Sequence, residues 1–299
     1  MKYAYRAVTD TPQGYYGLPL LKAPVWTWEV PAYFFVGGVA GASAVIGAVA
    51  RAAGADRRLV RDARWIAAAG AAASPPLLIS DLGRPERFLN MLRVFKVRSP
   101  MSVGVWTLVA FSQAASAAAF ADVVAQRTRG RLPVRVVGDA AGVLSAATGL
   151  VLSTYTGVLL GATAVPVWSR NVRLLPVHFG ASSIGAAASL LELLGHRHPA
   201  LNRVAIGAAL VETVVGAALD RREAPPSLRP ATAAQLVRVG AALAGPVPLA
   251  LRLLAPRSRT ARNVAAAATL AGSLFSRVAW LEAGRESARA PAGRVSEAD

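Results

Sequence analysis

The chain has 299 residues, of which 54% are hydrophobic and only 16% charged, and its mean hydropathy is +0.43. A soluble domain carries about 25% charged residues, so this composition excludes an ordinary soluble protein and argues even more strongly against disorder. The net charge of +17 comes almost entirely from arginine and there is no cysteine, which excludes disulfides, zinc–thiolate sites and iron–sulfur clusters held by the chain's own thiolates.

The arginines stand in short clusters between apolar runs. This arrangement is typical of loops that flank transmembrane helices, where basic residues meet anionic headgroups and set the topology. The positive charge therefore indicates a lipid bilayer as the partner, and no nucleic acid.

Eight runs have few or no charges, and a bilayer core of about 30 Å needs about 20 apolar residues per helix. We predict an all-α integral membrane protein of about eight transmembrane helices, arranged as two packed four-helix bundles. Pro75-Pro76 predicts a break in the second run, and Pro246 and Pro248 predict a discontinuous seventh helix. The runs are Pro31–Ala50, Trp65–Ser80, Met101–Ala121, Ala140–Val165, Leu174–Leu191, Val204–Leu219, Ala231–Leu251 and Asn263–Leu281.

The ends of the chain differ from the apolar runs. Residues 1–29 lack the continuous apolar core and the cleavage site of a signal peptide, so we expect an ordered interfacial lead-in with Trp26 and Trp28 at the membrane interface. Residues 291–299 are expected to be a disordered tail. The remainder, 1–290, is expected to be a single transmembrane domain.

The connections predict the topology. An even number of helices places both termini on one side of the membrane. The connections 51–64, 122–139, 192–203 and 252–262 are short, rich in arginine and poor in acids, which favours the cytoplasm. Both termini and the 81–100 loop are therefore expected outside.

The segment from residue 80 to residue 106 is the most informative. Gly83 and Pro85 are expected to end the second helix, with Asp81 and Arg84 paired across the turn. A short amphipathic helix in the membrane interface is then predicted, since apolar residues recur at positions i, i+3, i+4 and i+7. These residues are Phe88, Met91, Leu92 and Phe95.

The same segment, with its D-L-G-R-P, N-M-L, S-P-M-S and G-V-W elements, resembles the NrfD/PsrC family of membrane subunits of molybdopterin and iron–sulfur oxidoreductases. Further similar segments are 28–38, 155–168, 175–179 and 277–285, so the resemblance spans roughly residues 15–290. It implies a subunit of the bacterial inner membrane that exchanges electrons between a menaquinone or ubiquinone pool and a partner. The implied partners are a four-cluster, ferredoxin-like iron–sulfur subunit and a molybdopterin catalytic subunit, with no haem on this chain.

The histidines agree with that expectation. Bis-histidine haem needs two axial ligands on facing helices, whereas His196 and His198 fall in a polar loop and only His178 lies at a predicted helix. A quinone instead needs an apolar slot, hydrogen-bond donors for its carbonyls and groups that exchange protons.

Six residues near the terminus-side ends of four helices are candidates for the quinone site. Tyr155 is expected to donate to a quinone carbonyl, and Glu29 or His178 to handle the proton. Apolar walls are expected from Phe34, Trp106 and Trp168. Each polar candidate also has a structural interpretation as an interface anchor, a solvated residue or a packing residue. The six are Glu29, Tyr33, Asp81, Arg84, Tyr155 and His178.

Two carboxylates fall inside or beside apolar runs. An intramembrane carboxylate is costly unless it is paired or hydrated, so Glu212, Glu192 and Arg277 are candidates for a proton path. Glu212 with Arg203, Arg238 or Arg277 is expected to form a buried pair or a proton path, and such a pair also has a structural interpretation as an ion pair between helices.

Three functions remain open at this point. The first is a quinone-reactive subunit of an oxidoreductase complex. The second is a membrane anchor without a quinone site. The third is an ion- or proton-translocating module, which Glu212 and the broken seventh helix suggest.

Overall fold

A computed structural model describes residues 21–128, 132–222 and 231–289. These residues are helical apart from short connections, which confirms the all-α prediction. Most of the 1–29 lead-in and all of the 291–299 tail lie outside the described residues. The helices are α1 Glu29–Ala52, α2 Arg57–Asp81, α3 Arg87–Met91, α4 Pro100–Arg127, α5 Leu132–Gly161, α6 Pro166–Ser169, α7 Leu174–Leu193, α8 Pro199–Arg222, α9 Ala231–Ala244, α10 Pro246–Leu254 and α11 Arg259–Arg289.

Within the described ranges, seven helical segments are long and apolar enough to cross a membrane: α1, α4, α5, α7, α8, the α9–α10 pair and α11. The remaining long helix, α2, has 25 residues, but arginines in its first turns lower its mean hydropathy. It packs along α1 and α4, and it corresponds to the second predicted run. The chain is thus a multi-pass membrane protein.

The helices pack in two groups of four. In the first, α1, α2, α4 and α5 contact one another, and in the second, α7, α8, α9–α10 and α11 do so. Contacts of α7 with α1 and α5, and of α11 with α1, join the groups. Within the first group, α1 and α5 approach closely at Gly41 and Gly149, because a Cβ on Gly41 would lie only 2.3 Å from the Gly149 carbonyl oxygen. Small residues permit such close packing in lipid.

The break predicted at Pro75-Pro76 is wrong, since α2 runs through both prolines. Pro75 has no N–H to bond the carbonyl four residues earlier, which is that of Ala71. Ser112 of α4 donates to this carbonyl instead, at 3.4 Å. A side chain of a neighbouring helix thus satisfies the freed acceptor.

The seventh predicted helix is discontinuous, as expected. It divides at Gly245 into α9 and α10, where a Cβ on Gly245 would lie 2.9 Å from Oγ1 of Thr213 in α8. The break therefore sits against the middle of α8.

The amphipathic helix predicted after Pro85 is shorter than its pattern. Only Arg87–Met91 is helical. Phe95 lies beyond it, is 54% exposed and packs edge-on against Trp106, with ring centroids 6.2 Å apart.

Hydrogen bonds show which helix ends lie on the same side of the helix bundle. The start of α1, the end of α2, α6 and the end of α11 meet, since Thr27 bonds Asp81 at 2.9 Å and Val167 N–H donates to Ser287 at 3.2 Å. We call this side the terminus face. On the opposite face, Arg51 pairs with Asp139 at 2.8 Å.

Candidate functional site

A polar group lies at the mouth of α1 on the terminus face. The backbone N–H and the hydroxyl of Thr27 contact one oxygen of Asp81 at 2.9 and 2.8 Å. The same hydroxyl contacts Glu29. Thr27 thus joins the two predicted carboxylates into one cluster.

The pairing expected between Asp81 and Arg84 is not formed. Asp81 turns toward Thr27 instead, and Arg84 lies exposed after Gly83, whose φ of +65° turns the chain away from α2. Arg84 therefore belongs to the surface of the terminus face and not to the mouth of α1.

Tyr33 of α1 and Tyr155 of α5 are two buried phenols, on helices that pack against each other. Their exposed fractions are 3% and 6%. Among the described residues neither hydroxyl makes a hydrogen bond, and neither hydroxyl oxygen is among the fully enclosed unpaired atoms. A buried phenol usually makes a hydrogen bond, so both are available to a bound group.

Gly104 of α4 makes the space for the Tyr155 ring. A Cβ on Gly104 would lie 2.0 Å from Cζ and 2.2 Å from the hydroxyl oxygen. Since any side chain at this position would displace the phenol, the G-V-W element of the sequence has a structural reason for its glycine.

The apolar surroundings differ from those expected. Phe34 is buried beside Tyr33, with ring centroids 5.8 Å apart. Trp168 is fully enclosed: it stacks on Trp26 at 5.8 Å and donates from Nε1 to the Trp280 carbonyl at 2.8 Å. Trp106 lies partly exposed on the outer side of α4. Phe34 remains a candidate wall, whereas the two tryptophans hold helices together or face outward.

His178 lies in a different environment from that of the phenols. It is 1% exposed, and its Nε2 atom is 2.9 Å from the Ser276 hydroxyl of α11. Its Nδ1 atom lies 2.8 Å from Oε2 of Glu212. The fold therefore brings a predicted quinone residue against a predicted proton-path residue.

The contact between His178 and Glu212 is not aligned as a hydrogen bond. Glu212 is 1% exposed, and neither of its carboxylate oxygens accepts a hydrogen bond from the described residues. An ionised carboxylate in such a place is costly unless a charge compensates it. The titratable side chain in contact with Glu212 is His178.

Arg277 supplies a positive charge nearby, but it does not pair directly with Glu212. Its guanidinium binds Ser182 at 2.5 Å, Ser183 at 3.1 Å and the Phe179 carbonyl at 3.1 Å, and it lies 4.7 Å from the Phe179 ring centroid. Of the other two proposed partners, Arg238 pairs with Asp220 at 3.0 Å, and Arg203 is exposed. The expected Glu212–arginine ion pair is therefore replaced by a Glu212–histidine contact.

Glu192 lies toward the opposite face in a buried ion cluster. It binds Arg252 at 2.7 Å and Arg262 at 2.6 Å. Arg252 also donates to Asn202 and Ser189, at 2.9 and 3.3 Å. These contacts join α7, α8, α10 and α11.

A second ion cluster on the opposite face joins α1, α2, α4 and α5. Arg64 binds Asp122 at 2.7 Å and Asp139 at 2.8 Å, and Asp139 also binds Arg51. Gly142 leaves room for the guanidinium, since a Cβ there would lie 3.0 Å from Arg64. A cavity of about 320 Å³ opens beside Arg51, Arg64 and Asp139.

The sequence interpretation missed Thr27, Ser276 and the role of Gly104. Thr27 precedes α1 by two residues and carries no pattern of its own. The only sequence feature that could have indicated Ser276 is its position next to Arg277, as a polar residue inside an apolar run. In the described part of the chain no three His, Asp or Glu side chains are placed to hold a metal ion.

Comparison with known families agrees with this architecture. The family model NrfD_2, described as polysulfide reductase, matches residues 12–290, which include every helix described above. A search of curated proteins found no match. The chain belongs to the NrfD-type polysulfide reductase family of membrane proteins.

Proposed function

We propose that this chain is the quinone-reactive membrane subunit of an oxidoreductase complex. It would bind a menaquinone or ubiquinone and pass electrons between that quinone and a peripheral iron–sulfur subunit. Family membership supports a membrane-anchor role in such a complex. The quinone site is inferred from the side chains of this chain.

The observation that carries the proposal is the pair of buried phenols. Tyr33 and Tyr155 are buried, come from the neighbouring helices α1 and α5, and bond no described residue. A quinone has two carbonyl acceptors and a flat apolar ring. Two unpaired donors beside the apolar ring of Phe34 match that chemistry.

The Thr27 cluster lies where protons would enter or leave. Glu29 and Asp81 contact the same hydroxyl, and a hydroxyl has only one hydrogen to donate. A proton held by either carboxylate would complete this small network. Glu29 is the nearer of the two to the phenols along the chain, since Tyr33 follows it by one helical turn.

The terminus face is the side that we assign to the partners. The expected partners are a four-cluster iron–sulfur subunit and a molybdopterin subunit, in a bacterial cytoplasmic membrane with both termini outside. Arg84 and the 81–100 loop are exposed on this face. A partner docked there would lie on the same side of the membrane as the phenols.

Single substitutions in the native complex test the proposal. Tyr155→Phe and Tyr33→Phe each remove one hydroxyl and little volume. A hydrogen bond of this kind is worth about 1 kcal/mol, so quinone turnover should fall about 5-fold for each. Dye-linked activity of the soluble subunits and assembly of the complex should be unchanged.

Thr148→Val is the matched control, because it removes a hydroxyl from the same helix as Tyr155 that bonds only its own backbone. Wild-type quinone turnover in both tyrosine variants and in Glu29→Gln would reject the site. That result would leave the chain as an anchor without a quinone site.

A further inference from the structure

The cavity of about 320 Å³ on the opposite face takes no part in the proposed quinone chemistry. It lies between α1, α2 and α5. Helix α1 ends at Ala52, one residue after Arg51, whereas α5 begins at Leu132, seven residues before Asp139. The cavity therefore lies where α1 ends and α5 continues outward, which is the level expected for lipid headgroups.

The polar end of the cavity contains a buried guanidinium with a free donor. Arg64 is 7% exposed, and its two terminal nitrogens bond Asp122 and Asp139 at 2.7 and 2.8 Å. Its Nε–H makes no hydrogen bond to a described residue, and Nε is not among the fully enclosed unpaired atoms. Because Arg64 lines the cavity, this N–H can donate to a group bound there.

Two neighbouring residues keep guanidinium donors open to the cavity. A Cβ on Gly142 would lie 3.4 Å from Nε of Arg64, in van der Waals contact, so a methyl group there would cover part of the donor. Arg51 lines the cavity and binds Asp139 through Nε and Nη2. Its Nη1 atom bonds no described residue. The cavity thus presents donors from two arginines.

Positive charges outnumber negative charges around the cavity. Arg51 and Arg64 neutralise Asp122 and Asp139. Arg135 stands four residues before Asp139, on the same side of α5, and it is exposed and bonds no described residue. Three arginines against two aspartates leave one positive charge, so an anion bound here would make the group neutral.

The remaining walls of the cavity are apolar and lead to the outer surface of the bundle. Ala48, Ala52 and Val143 line them. Val143 is 65% exposed, as is its neighbour Leu144 at 55%, and exposed apolar side chains on a membrane-spanning helix face lipid. The cavity therefore connects a basic end with the lipid-facing surface of α5, which suits a ligand with an anionic head and an apolar tail.

We propose that the cavity binds one anionic phospholipid. Its phosphate accepts hydrogen bonds from Arg51 and Arg64 and is attracted by Arg135, and an acyl chain lies along Val143. Basic pockets between transmembrane helices on the cytoplasmic side bind anionic headgroups, and the opposite face is the one expected in the cytoplasm. Free phosphate would leave the apolar walls unmatched, and a quinone would leave the positive charge unmatched. The inference does not depend on the proposed quinone function.

Lipid binding to the native complex tests the assignment. The complex is purified in detergent, depleted of lipid and exposed in turn to phosphatidylglycerol, phosphatidylcholine, inorganic phosphate and menaquinone, and bound molecules are counted by native mass spectrometry. One phosphatidylglycerol that depends on Arg51 should bind about 5-fold or more tightly than phosphatidylcholine. Equal binding of phosphatidylcholine, binding of inorganic phosphate alone at this site, or displacement of the lipid by menaquinone would overturn the proposal.

Variants locate the lipid. Arg51→Gln should weaken phosphatidylglycerol binding about 5-fold or more, whereas Arg238→Gln should not. The two arginines are matched, because their side chains are 55% and 53% exposed and each pairs with an aspartate, at 2.8 and 3.0 Å. Arg135→Gln breaks no ion pair between described residues, so it tests the site even if Arg51→Gln fails to fold.

The glycine offers an independent check. Gly142→Ala, which covers Nε of Arg64, should also weaken binding, whereas Gly207→Ala should not, because a Cβ on Gly207 meets no atom within 4 Å. Wild-type phosphatidylglycerol binding in Arg135→Gln and Gly142→Ala alike would overturn the proposal.

Discussion

Gly104→Ala is predicted to disable the quinone site without touching a polar group. The new Cβ would lie 2.0 Å from Cζ, 2.2 Å from the hydroxyl oxygen and 2.4 Å from Cε1 of Tyr155. Contacts below about 3 Å essentially do not occur for a Cβ atom, and Gly104 and Tyr155 are both buried between packed helices. The phenol must therefore move by about 1 Å or more.

A displacement of that size is enough to break a hydrogen bond. A phenol-to-carbonyl bond has an oxygen–oxygen distance of about 2.7 Å, and a further 1 Å leaves no bond. The expected loss is about 1 kcal/mol, or about 5-fold in quinone turnover, equal to that of Tyr155→Phe. Overpacking adds a destabilisation of about 1–3 kcal/mol.

The assay is quinone turnover of the purified complex, with thermal unfolding measured in parallel. Gly207→Ala is the matched control, because a Cβ on Gly207 meets no atom within 4 Å. The double variant Gly104→Ala/Tyr155→Phe should turn over no more slowly than about the slower single variant, since both changes remove one interaction. Normal turnover in Gly104→Ala, or fully additive losses, would refute the role of the phenol.

Three further predictions concern stability and topology. Glu192→Ala should destabilise the protein by about 3–5 kcal/mol, seen as a lower melting temperature in detergent, because it leaves Arg252 and Arg262 buried without their anion; an unchanged melting temperature would contradict this. Gly149→Val should prevent α1 and α5 from packing, since even a Cβ there would lie 2.6 Å from the Gly41 carbonyl oxygen, and the yield of folded protein should fall sharply relative to Gly207→Val. A reporter fused to the C-terminus should be active only outside the cytoplasm, and activity confined to the cytoplasm would reverse the proposed orientation.

The helices were predictable because the membrane imposes a simple rule on the sequence. Runs of about 20 apolar residues must become helices in lipid, and the family resemblance of residues 80–106 was confirmed over 12–290. The break at Gly245 was predictable for a similar reason, since the two prolines that follow it remove backbone donors.

The predictions were wrong where a side chain from another part of the chain supplies a hydrogen bond. Pro75 does not break α2, because Ser112 of another helix binds the carbonyl that the proline leaves free. Asp81 does not pair with Arg84, because it accepts a hydrogen bond from Thr27, which lies 54 residues earlier in the sequence. Such long-range partners have no signature in the local sequence.

Most residues of the candidate site could be predicted from the sequence, but not which of them lie together. Tyr33 and Tyr155 do lie on neighbouring helices, and Glu29 and Asp81 do share a cluster. His178 was placed with them because it lies near the start of its helix. Its side chain instead faces α8 and α11, where Glu212 and Ser276 lie. The rotation of a helix about its axis depends on packing. Fourteen of the 20 residues of α7 are buried, so α7 has no polar face that would predict its orientation.

Photolabelling of the native complex with an azido-menaquinone, followed by mapping of the labelled peptides, tests the central claim most directly. The proposed site predicts saturable labelling of the segments around Tyr33 and Tyr155, competed by unlabelled menaquinone and lost in Gly104→Ala. Labelling confined to the opposite-face cavity beside Arg51 and Asp139, or labelling that menaquinone does not compete, would contradict it.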